Sequence, residues 1–381
     1  MKRVMVIAPH EPALARGIQV GIARYARSHG PWRFVAPRQM GGGWQYVPAD
    51  LDELNFEGAI LPVIRTADVE RLTTAGIPFV SVTAFPSVPR VTNDNAAIGR
   101  LGARHLLGLG FRRLAFAGLP KTIYSRDRHD AFLAEARQAD VPCAIYTEHF
   151  IERDDWRWPQ LQEKMSQFLK TLTWPCGMMT DTNARARQII EAATSMGIII
   201  PEQLAVLSVD NDESLCEMSQ PSLSCVALDG ERVGFEAAAM LDRFMQGEPA
   251  VDQCRLIPPL SIEVRQSTDT LAIDDPAVAA ALRFIRSRPN RPMTIAQVLD
   301  HVPLSQRALE RRFQQRVGHT LFTEIRRVQL AHVQHLLTQT DWSIQQIARA
   351  SAFANAKRLG EVFREAIGES PTAYRRRFQY A

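Results

Sequence analysis

At 381 residues, 46% of them hydrophobic, the chain is long enough for two domains or for a two-lobed domain with a smaller one. Its five cysteines are far apart and show no C-x-x-C spacing, which excludes the usual zinc cage and disulfide framework. The net charge of +4 is uneven, because residues 277–381 hold 17 basic and 7 acidic residues, a net of +10 that leaves −6 for the rest. This asymmetry indicates that only the basic region meets a polyanion.

The amino terminus begins Met1-Lys2-Arg3, followed by only five apolar residues before Pro9. This run is too short for the core of a signal peptide and far too short for a membrane span. We therefore expect a cytoplasmic protein that does not bind a membrane.

Short apolar runs alternate with amphipathic segments from residue 4 to residue 260. The run 4–8 precedes the helical pattern 17–28, and the run 58–61 precedes the pattern 67–75. Buried strands separated by helices predict a doubly wound α/β fold with mainly parallel sheets. Ligands of such sheets bind beyond the carboxyl ends of the strands.

A polar stretch without apolar periodicity separates this α/β region from an entirely helical one. We therefore predict a body over residues 1–265, a linker over 266–276 and a small all-α domain over 277–381. Helix signals in the last domain are the N-cap residues Thr294, Ser305, Ser343 and Asn355 and the terminal glycines Gly318 and Gly368.

Polar residues cluster directly after the predicted strands, where an α/β cleft would collect them. Carboxylates, amides and an arginine beside an aromatic ring suit a polyhydroxylated ligand such as a sugar. Each residue alone has a second interpretation, since Asp and Asn after a strand commonly cap the next helix. The predicted ligand-binding residues are Glu11, Arg16, Asp94, Tyr124, Arg128, Asp181, Asn183, Asp210 and Asn211, with His10 beside Glu11.

The body lacks the sequence motifs of common enzymes. Gly41-Gly42-Gly43 is not a G-x-G-x-x-G turn and is interpreted as a surface turn, and neither a phosphate-binding loop nor G-x-S-x-G occurs. His10 and Glu11 could form a catalytic pair, but a pair lining a ligand cleft is the favoured interpretation. The nine histidines show no metal-binding spacing. We expect no catalytic site, no cofactor and no metal.

The helical region contains two copies of one motif. The first begins at Thr294 and continues through a turn into residues 305–317, and the second begins at Ser343 and continues into 355–367. In each second helix a buried i, i+4 pair leaves a polar outer face that could enter a major groove. A helix of roughly 17 residues between the copies, about 25 Å long, would space the two faces by about one duplex turn. The predicted DNA contacts are Arg307, Glu310, Arg311, Gln314, Asn355, Lys357, Arg358 and Glu361.

Several motifs of this region are typical of one family. They include Leu309-Glu310-Arg311-Arg312-Phe313, Gly318-His319-Thr320, Ser343-Ile344 and Tyr374-Arg375. With them, residues 277–378 resemble the AraC/XylS family of transcription regulators. The resemblance implies two helix-turn-helix units that read double-stranded DNA. Since the side chains of Ala356 and Gly360 cannot donate hydrogen bonds, the second unit would depend more on Asn355, Lys357 and Arg358. The alternative for a basic helical module is that it binds a protein.

The body carries motifs of a second family, including Asp127-Arg128 with Ala131-Phe132, Asp181-Thr182-Asn183-Ala184 and Ser208-Val209-Asp210-Asn211-Asp212. Residues 3–265 resemble the ligand-binding domain of LacI/GalR regulators and the periplasmic sugar-binding proteins. The resemblance implies two lobes, roughly 1–110 with 222–248 and 111–221 with 249–265, and crossings near Gly110, Pro221 and Glu248. It also implies that Asp210 and Arg128 bind sugar hydroxyls.

The combination of both regions, with Gly118-Leu119-Pro120 and Ile257-Pro258-Pro259, resembles regulators of D-xylose operons. This resemblance implies D-xylose as effector, a homodimer and activation of transcription with RNA polymerase. A different sugar and a repressor of the same architecture remain open alternatives. A transporter's solute-binding protein would need a secretion signal and no DNA module, and an enzyme would need a nucleophile or a cofactor loop.

Overall fold

The computed structural model describes residues 1–9, 11–35, 55–63, 66–119, 122–146, 158–249, 253–270, 275–286, 288 and 293–379. His10 and the glycine run 41–43 lie outside the described residues. The chain divides into two compact units, Met1–Ala272 and Ile273–Ala381. The first, the α/β unit, is built on two sheets, and the second, the helical unit, contains only helices in its described part.

The first lobe of the α/β unit is a six-stranded sheet in the order β11-β5-β4-β3-β1-β2, with every neighbouring pair parallel. Helices cover both faces, because successive strand residues such as Val4 and Met5 pack into different apolar clusters. The strands are β1 (Lys2–Val6), β2 (Trp32–Val35), β3 (Gly58–Leu61), β4 (Phe79–Ser81), β5 (Arg90–Asn93) and β11 (Cys254–Ile257), and the helices are α1 (Pro12–His29), α2 (Thr66–Thr74) and α8 (Gly230–Met245).

Helices α1 and α8 approach each other unusually closely. A Cβ atom on Gly21 would collide with the carbonyl oxygen of Glu231, and one on Gly234 would collide with that of Ile18. Glycine at these crossing points therefore lets the two backbones touch, which seals one face of the first sheet.

The second lobe is another six-stranded sheet, in the order β12-β10-β9-β8-β6-β7. Its strands are parallel except β12, which pairs antiparallel with β10. The strand β9 is buried along its whole length, as expected for a sheet covered on both faces. The strands are β6 (Leu114–Ala117), β7 (Cys143–Tyr146), β8 (Cys176–Thr180), β9 (Leu204–Val209), β10 (Ser224–Val226) and β12 (Ile262–Glu263), and the helices are α3 (Asn95–Gly108), α4 (Ile123–Gln138), α5 (Trp158–Thr171), α6 (Asn183–Ser195) and α7 (Glu213–Glu217).

The predicted lobe bounds need correction, because the chain crosses between the sheets at other points. It leaves the first sheet after β5, returns between β10 and α8, and leaves again between β11 and β12. Helix α3 belongs to the second lobe since its Ile98 and Leu106 pack with Phe111 and Phe132. The crossings therefore lie near residues 94, 228 and 259 rather than near Gly110, Pro221 and Glu248.

The predicted linker over 266–276 also needs correction at its start. Residues Gln266–Thr268 form a 3-10 turn, and Ser267 and Thr268 are fully buried. Ser267 donates to the carbonyl of Val206 over 2.6 Å and accepts from the backbone N–H of Ser224 over 2.8 Å. Residues 266–270 thus belong to the second lobe, and 271–274 lie outside the described residues.

The helical unit repeats one motif twice, as the sequence predicts. Thr294 and Ser343 each form a capping box with the glutamine three residues later. Each second helix spans 12 residues and ends at a glycine with φ of 87°, a left-handed conformation that favours glycine. The helices are α9 (Pro276–Arg286), α10 (Ile295–Leu299), α11 (Gln306–Val317), α12 (Leu321–Gln339), α13 (Ile344–Ala350), α14 (Ala356–Ile367) and α15 (Pro371–Gln379).

Candidate functional site

A cavity of about 320 Å³ lies between the carboxyl ends of the two sheets. The first lobe contributes the residues that follow β1 and β4 and the end of β5, and the second lobe contributes those that follow β6, β8 and β9. This is the position where open α/β sheets bind ligands. The polar lining residues are Glu11, Thr83, Thr92, Asn93, Asn95, Tyr124, Arg128, Asp181, Thr182, Asn183 and Asp210.

Arg128 is a buried cation in the lining of this cavity. Its Nε donates to the Oδ1 of Asn95 over 2.9 Å, and its Nη1 donates to the backbone carbonyl of Asp181 over 2.5 Å. The guanidinium carbon lies 5.0 Å from the centre of the Tyr124 ring, within the range of a cation–π interaction. Burial lowers the pKa of Arg128 and raises that of the Tyr124 hydroxyl. These contacts hold the guanidinium in one orientation toward the cavity.

Asp181 and Asn183 follow β8, and both are already hydrogen-bonded. The Oδ2 of Asp181 accepts from the backbone N–H of Leu119 over 2.8 Å. Asn183 donates to the backbone carbonyl of Asp210 over 2.6 Å and accepts from the Ser208 hydroxyl over 2.6 Å. Asn183 therefore holds the end of β9 in place as well as lining the cavity.

Asp210 sits directly after β9 in a left-handed conformation with φ of 78°, which is rare for a residue other than glycine. Its side chain is buried, and burial together with the nearby Glu11 raises its pKa to about 6. A hydrogen bond from the backbone of Leu14 lowers the pKa in part. The carboxylate thus faces the cavity at a cost in free energy that a hydrogen-bonding ligand would offset.

Six of the nine predicted ligand residues line the cavity, and three do not. Arg16 instead pairs with Asp212 over 3.2 Å, and Asp94 caps α3 by accepting from the backbone N–H of Ala97 over 2.8 Å. The Oδ1 of Asn211 accepts from Arg265 over 2.9 Å. These three side chains have structural partners outside the lining.

Asn93 and Asn95 were not among the predicted ligand residues, although both line the cavity. They flank Asp94 in the run Thr92-Asn93-Asp94-Asn95. The polar run at the end of β5 could have revealed them, since residues at the carboxyl end of a parallel strand lie beside the cleft.

The predicted DNA-binding residues form two exposed faces, on α11 and at the start of α14. Among the described residues, Arg307, Arg311 and Lys357 make no ion pair, so their charges are available. The other predicted residues have local partners: Glu310 accepts from Gln306, Gln314 donates to the carbonyl of Gly318, Asn355 caps α14 at the N–H of Arg358, and Arg358 pairs with Glu361 over 3.2 Å.

Within the part of the chain that the structure describes, no group of three or more His, Cys, Asp or Glu side chains could hold a metal ion. No described helix is long and apolar enough to cross a membrane.

Comparison with known proteins identifies both units. Residues 103–268 match the periplasmic binding protein-like domain family, and residues 298–377 match a helix-turn-helix domain family. The xylose operon regulatory protein of Haemophilus influenzae is 30% identical over 335 residues, which cover 85% of this chain and 86% of that protein. The chain belongs to the xylose operon regulatory protein family.

Two further comparisons agree with membership of the xylose operon regulatory protein family. The member from Escherichia coli K12 is 31% identical over 333 residues, covering 86% of this chain and 83% of that protein. A solved structure of the xylose-binding transcription activator XylR matches with a TM-score of 0.73 and 27% identity over 98% of both chains. The chain is therefore a DNA-binding transcription regulator with a periplasmic-binding-protein-like α/β unit, and the predicted fold class is confirmed.

Proposed function

We propose that this protein binds D-xylose in the cavity between its lobes and, in response, activates transcription of xylose genes. The observation that carries the proposal is the placement of Asp181, Asn183 and Asp210 after the carboxyl ends of neighbouring strands, with Arg128 of α4 lining the same cavity. Such a set of charged and amide groups is suited to hydroxyl groups, which both donate and accept hydrogen bonds. The similar proteins are xylose operon regulatory proteins and a xylose-binding transcription activator, which supports the choice of xylose.

The charges of the lining favour a neutral sugar over a sugar phosphate or a sugar acid. Among the described lining residues, Glu11, Asp181 and Asp210 face the same cavity as one arginine, so the described acidic groups outnumber the basic one. Their mutual repulsion is already visible at Asp210, whose pKa is raised to about 6 by burial and by Glu11. A further negative charge would add to this repulsion inside a low-dielectric site.

The size of the cavity favours a small sugar. Its volume of about 320 Å³ lies at the lower end of the range of roughly 300–1,000 Å³ for ligand pockets. A monosaccharide suits this space better than a long oligosaccharide. Together, charge and size support an unphosphorylated monosaccharide as the effector.

The helical unit would bind DNA through Arg307, Glu310, Arg311 and Gln314 on α11 and through Asn355, Lys357, Arg358 and Glu361 at α14. Exposed arginine and lysine side chains on two successive reading helices suit neighbouring major grooves. We further propose that a homodimer acts in the cytoplasm and contacts RNA polymerase. The duplicated unit would let each protomer cover two grooves on one side of the duplex.

A thermal-unfolding screen of the full chain against pentoses and hexoses tests the proposed effector. D-xylose at 100 times its Kd should stabilise the protein by about 2.7 kcal/mol, because it binds only the folded state. Asp210→Ala should lose this stabilisation, whereas the exposed control Asp130→Ala should keep it. A larger shift with another sugar would replace xylose as the effector, and no shift with any sugar would reject the sensing function.

A further inference from the structure

Asn93 is the last residue of β5, and its side chain lines the cavity from the first lobe. The residue is only 6% exposed, yet its Oδ1 has no hydrogen-bond partner among the described residues. Buried polar atoms of native proteins nearly always have a partner, so each exception calls for an explanation. A buried acceptor that has no partner and lies beside a cavity indicates that a ligand supplies the hydrogen-bond donor.

The backbone around Asn93 is fixed by the neighbouring strand, which keeps the residue at the edge of the cavity. Asn93 pairs with Ile257 of β11, and the next residue, Asp94, donates its N–H to the carbonyl of Ile257 over 2.8 Å. The carboxylate of Asp94 then caps α3, where the chain crosses into the second lobe. The amide of Asn93 is thus fixed beside the crossing point.

Neighbouring polar groups of the lining are engaged within the protein. Arg128 donates to Asn95 and to the carbonyl of Asp181, and Asn183 has partners for both its Oδ1 and its Nδ2. Thr83 of the first lobe donates its hydroxyl to the carbonyl of Val63 over 2.8 Å. The Oδ1 of Asn93 differs from these groups because no described residue donates a hydrogen bond to it.

We propose that Asn93 is a specificity-determining residue whose Oδ1 accepts a hydrogen bond from one hydroxyl of the bound sugar. The inference rests on the proposed sugar-binding function and deepens it. A sugar that lacks this hydroxyl leaves the buried oxygen unpaired and is rejected, which is how a polar site discriminates more strongly than an apolar one. Because Asn93 belongs to the first lobe and Arg128 and Asp210 to the second, this hydroxyl also helps the sugar to bridge the lobes.

Calorimetry of the full chain with D-xylose and its monodeoxy analogues tests the proposal. One analogue should lack the hydroxyl that Asn93 binds. On going from D-xylose to this analogue, the affinity of the wild type should fall by about 5- to 150-fold more than the affinity of Asn93→Leu, which has no acceptor to leave unpaired. Asn93→Asp, which keeps the acceptor, should discriminate against the same analogue as the wild type does. Asn211→Ala removes an amide outside the lining and should change the affinities of D-xylose and all the analogues by one common factor.

If the wild type and Asn93→Leu lose the same affinity for each analogue, the proposed role of Asn93 is overturned, while xylose binding is left intact. If Asn93→Leu does not fold, as judged by its thermal unfolding, loss of discrimination in Asn93→Asp overturns the role in the same way. If D-xylose does not bind but another sugar of the screen does, the proposed effector is wrong, and the monodeoxy series of that sugar decides the role of Asn93. Absence of any sugar binding would overturn both proposals.

Discussion

The Nη2 of Arg265 donates a hydrogen bond to the Oδ1 of Asn211 over 2.9 Å, joining the residue after Asp210 to the segment that leaves the second lobe. The same guanidinium pairs with Glu217 of α7 over 2.8 Å and donates to the carbonyl of Leu223 over 3.1 Å. Arg265 thereby ties the end of β9, where the cavity begins, to the start of residues 266–270. A movement of Asp210 on ligand binding would reach this segment through Asn211.

Arg265→Ala should separate sugar binding from the response of DNA binding to the sugar. Its side chain does not line the cavity, so the affinity for D-xylose should change by only a few-fold. The effect of D-xylose on DNA affinity should fall towards zero, since a ligand biases DNA binding only through contacts that differ between two states. DNA titrations with and without D-xylose measure the response. The exposed pair of Arg243 with Glu248 offers Arg243→Ala as a control, and a normal response in Arg265→Ala would contradict the role.

Sugar affinity should depend on pH through Asp210. Its pKa is raised to about 6, so the carboxylate that accepts hydroxyl hydrogen bonds is formed only above that value. Affinity for D-xylose should therefore rise between pH 5 and about 7 in calorimetric titrations, and that of Asp210→Asn should stay level.

The stability of the unliganded protein should show the opposite trend. A raised carboxyl pKa favours the folded state fully at pH values below the unfolded-state pKa of about 4, and this contribution is lost as the pH rises through about 6. At neutral pH, Asp210→Asn should thus be more stable than the wild type by up to about 2–3 kcal/mol. A wild-type stability that rises between pH 4 and 6 relative to that of Asp210→Asn would show that the carboxyl group is not desolvated.

The strand-end rule locates the cavity from sequence because it depends only on where each strand ends, and the apolar runs that mark the strands are local signals. It could not separate Asn93 from Asp94, since both are polar and lie at the end of the same strand. Which of the two faces the cavity depends on the pleat of β5 and on the helix that Asp94 caps. The general preference of Asp for helix caps was the better guide to Asp94.

Long-range pairing decides the features that the sequence did not predict. The side chain of Asn211 accepts a hydrogen bond from Arg265, which lies 54 residues further along the chain. The resemblance to LacI/GalR regulators implies a first lobe crossing near Gly110, but the packing of Ile98 and Leu106 on the second lobe sets that crossing near residue 94. By contrast, the duplicated helical motif was readable because caps, terminal glycines and i, i+4 pairs are local signals.

Glu324→Gln should strongly destabilise the helical unit. Glu324 is fully buried and accepts from Arg286 of α9 over 3.1 Å, from both Nε and Nη2 of Arg327 over 2.8 Å, and pairs with His319 over 2.9 Å. Burial alone would raise its pKa, but the hydrogen bonds and charges of Arg327 and Arg286 hold the pKa at about 2. Breaking a buried ion pair costs about 3–5 kcal/mol, which should appear as a lower Tm of the helical unit in calorimetry.

The exposed Glu365→Gln on α14 is the control for this prediction, and its Tm should stay near that of the wild type. Since the folded-state pKa of Glu324 is depressed, its contribution is present above the unfolded-state pKa of about 4.3 and is lost as the pH falls through about 2. The difference in Tm between wild type and Glu324→Gln should accordingly shrink below pH 4. A difference that does not depend on pH would mean that the ionised carboxylate is not what stabilises the unit.

Arg311→Ala and Lys357→Ala should distinguish the reading of bases from the binding of phosphates. Arg311 is exposed on α11 without an ion-pair partner among the described residues, and its planar guanidinium can bind the two acceptors of a guanine edge. Its removal should weaken binding to the specific operator by about 1–3 kcal/mol and binding to random DNA much less. Lys357 is a point charge near the start of α14. Its removal should instead weaken binding to both DNAs by a similar free energy and reduce the slope of log Kd against log salt concentration by about one. Arg24→Ala in the α/β unit is the control, and equal losses on both DNAs for Arg311→Ala would assign this arginine to phosphate.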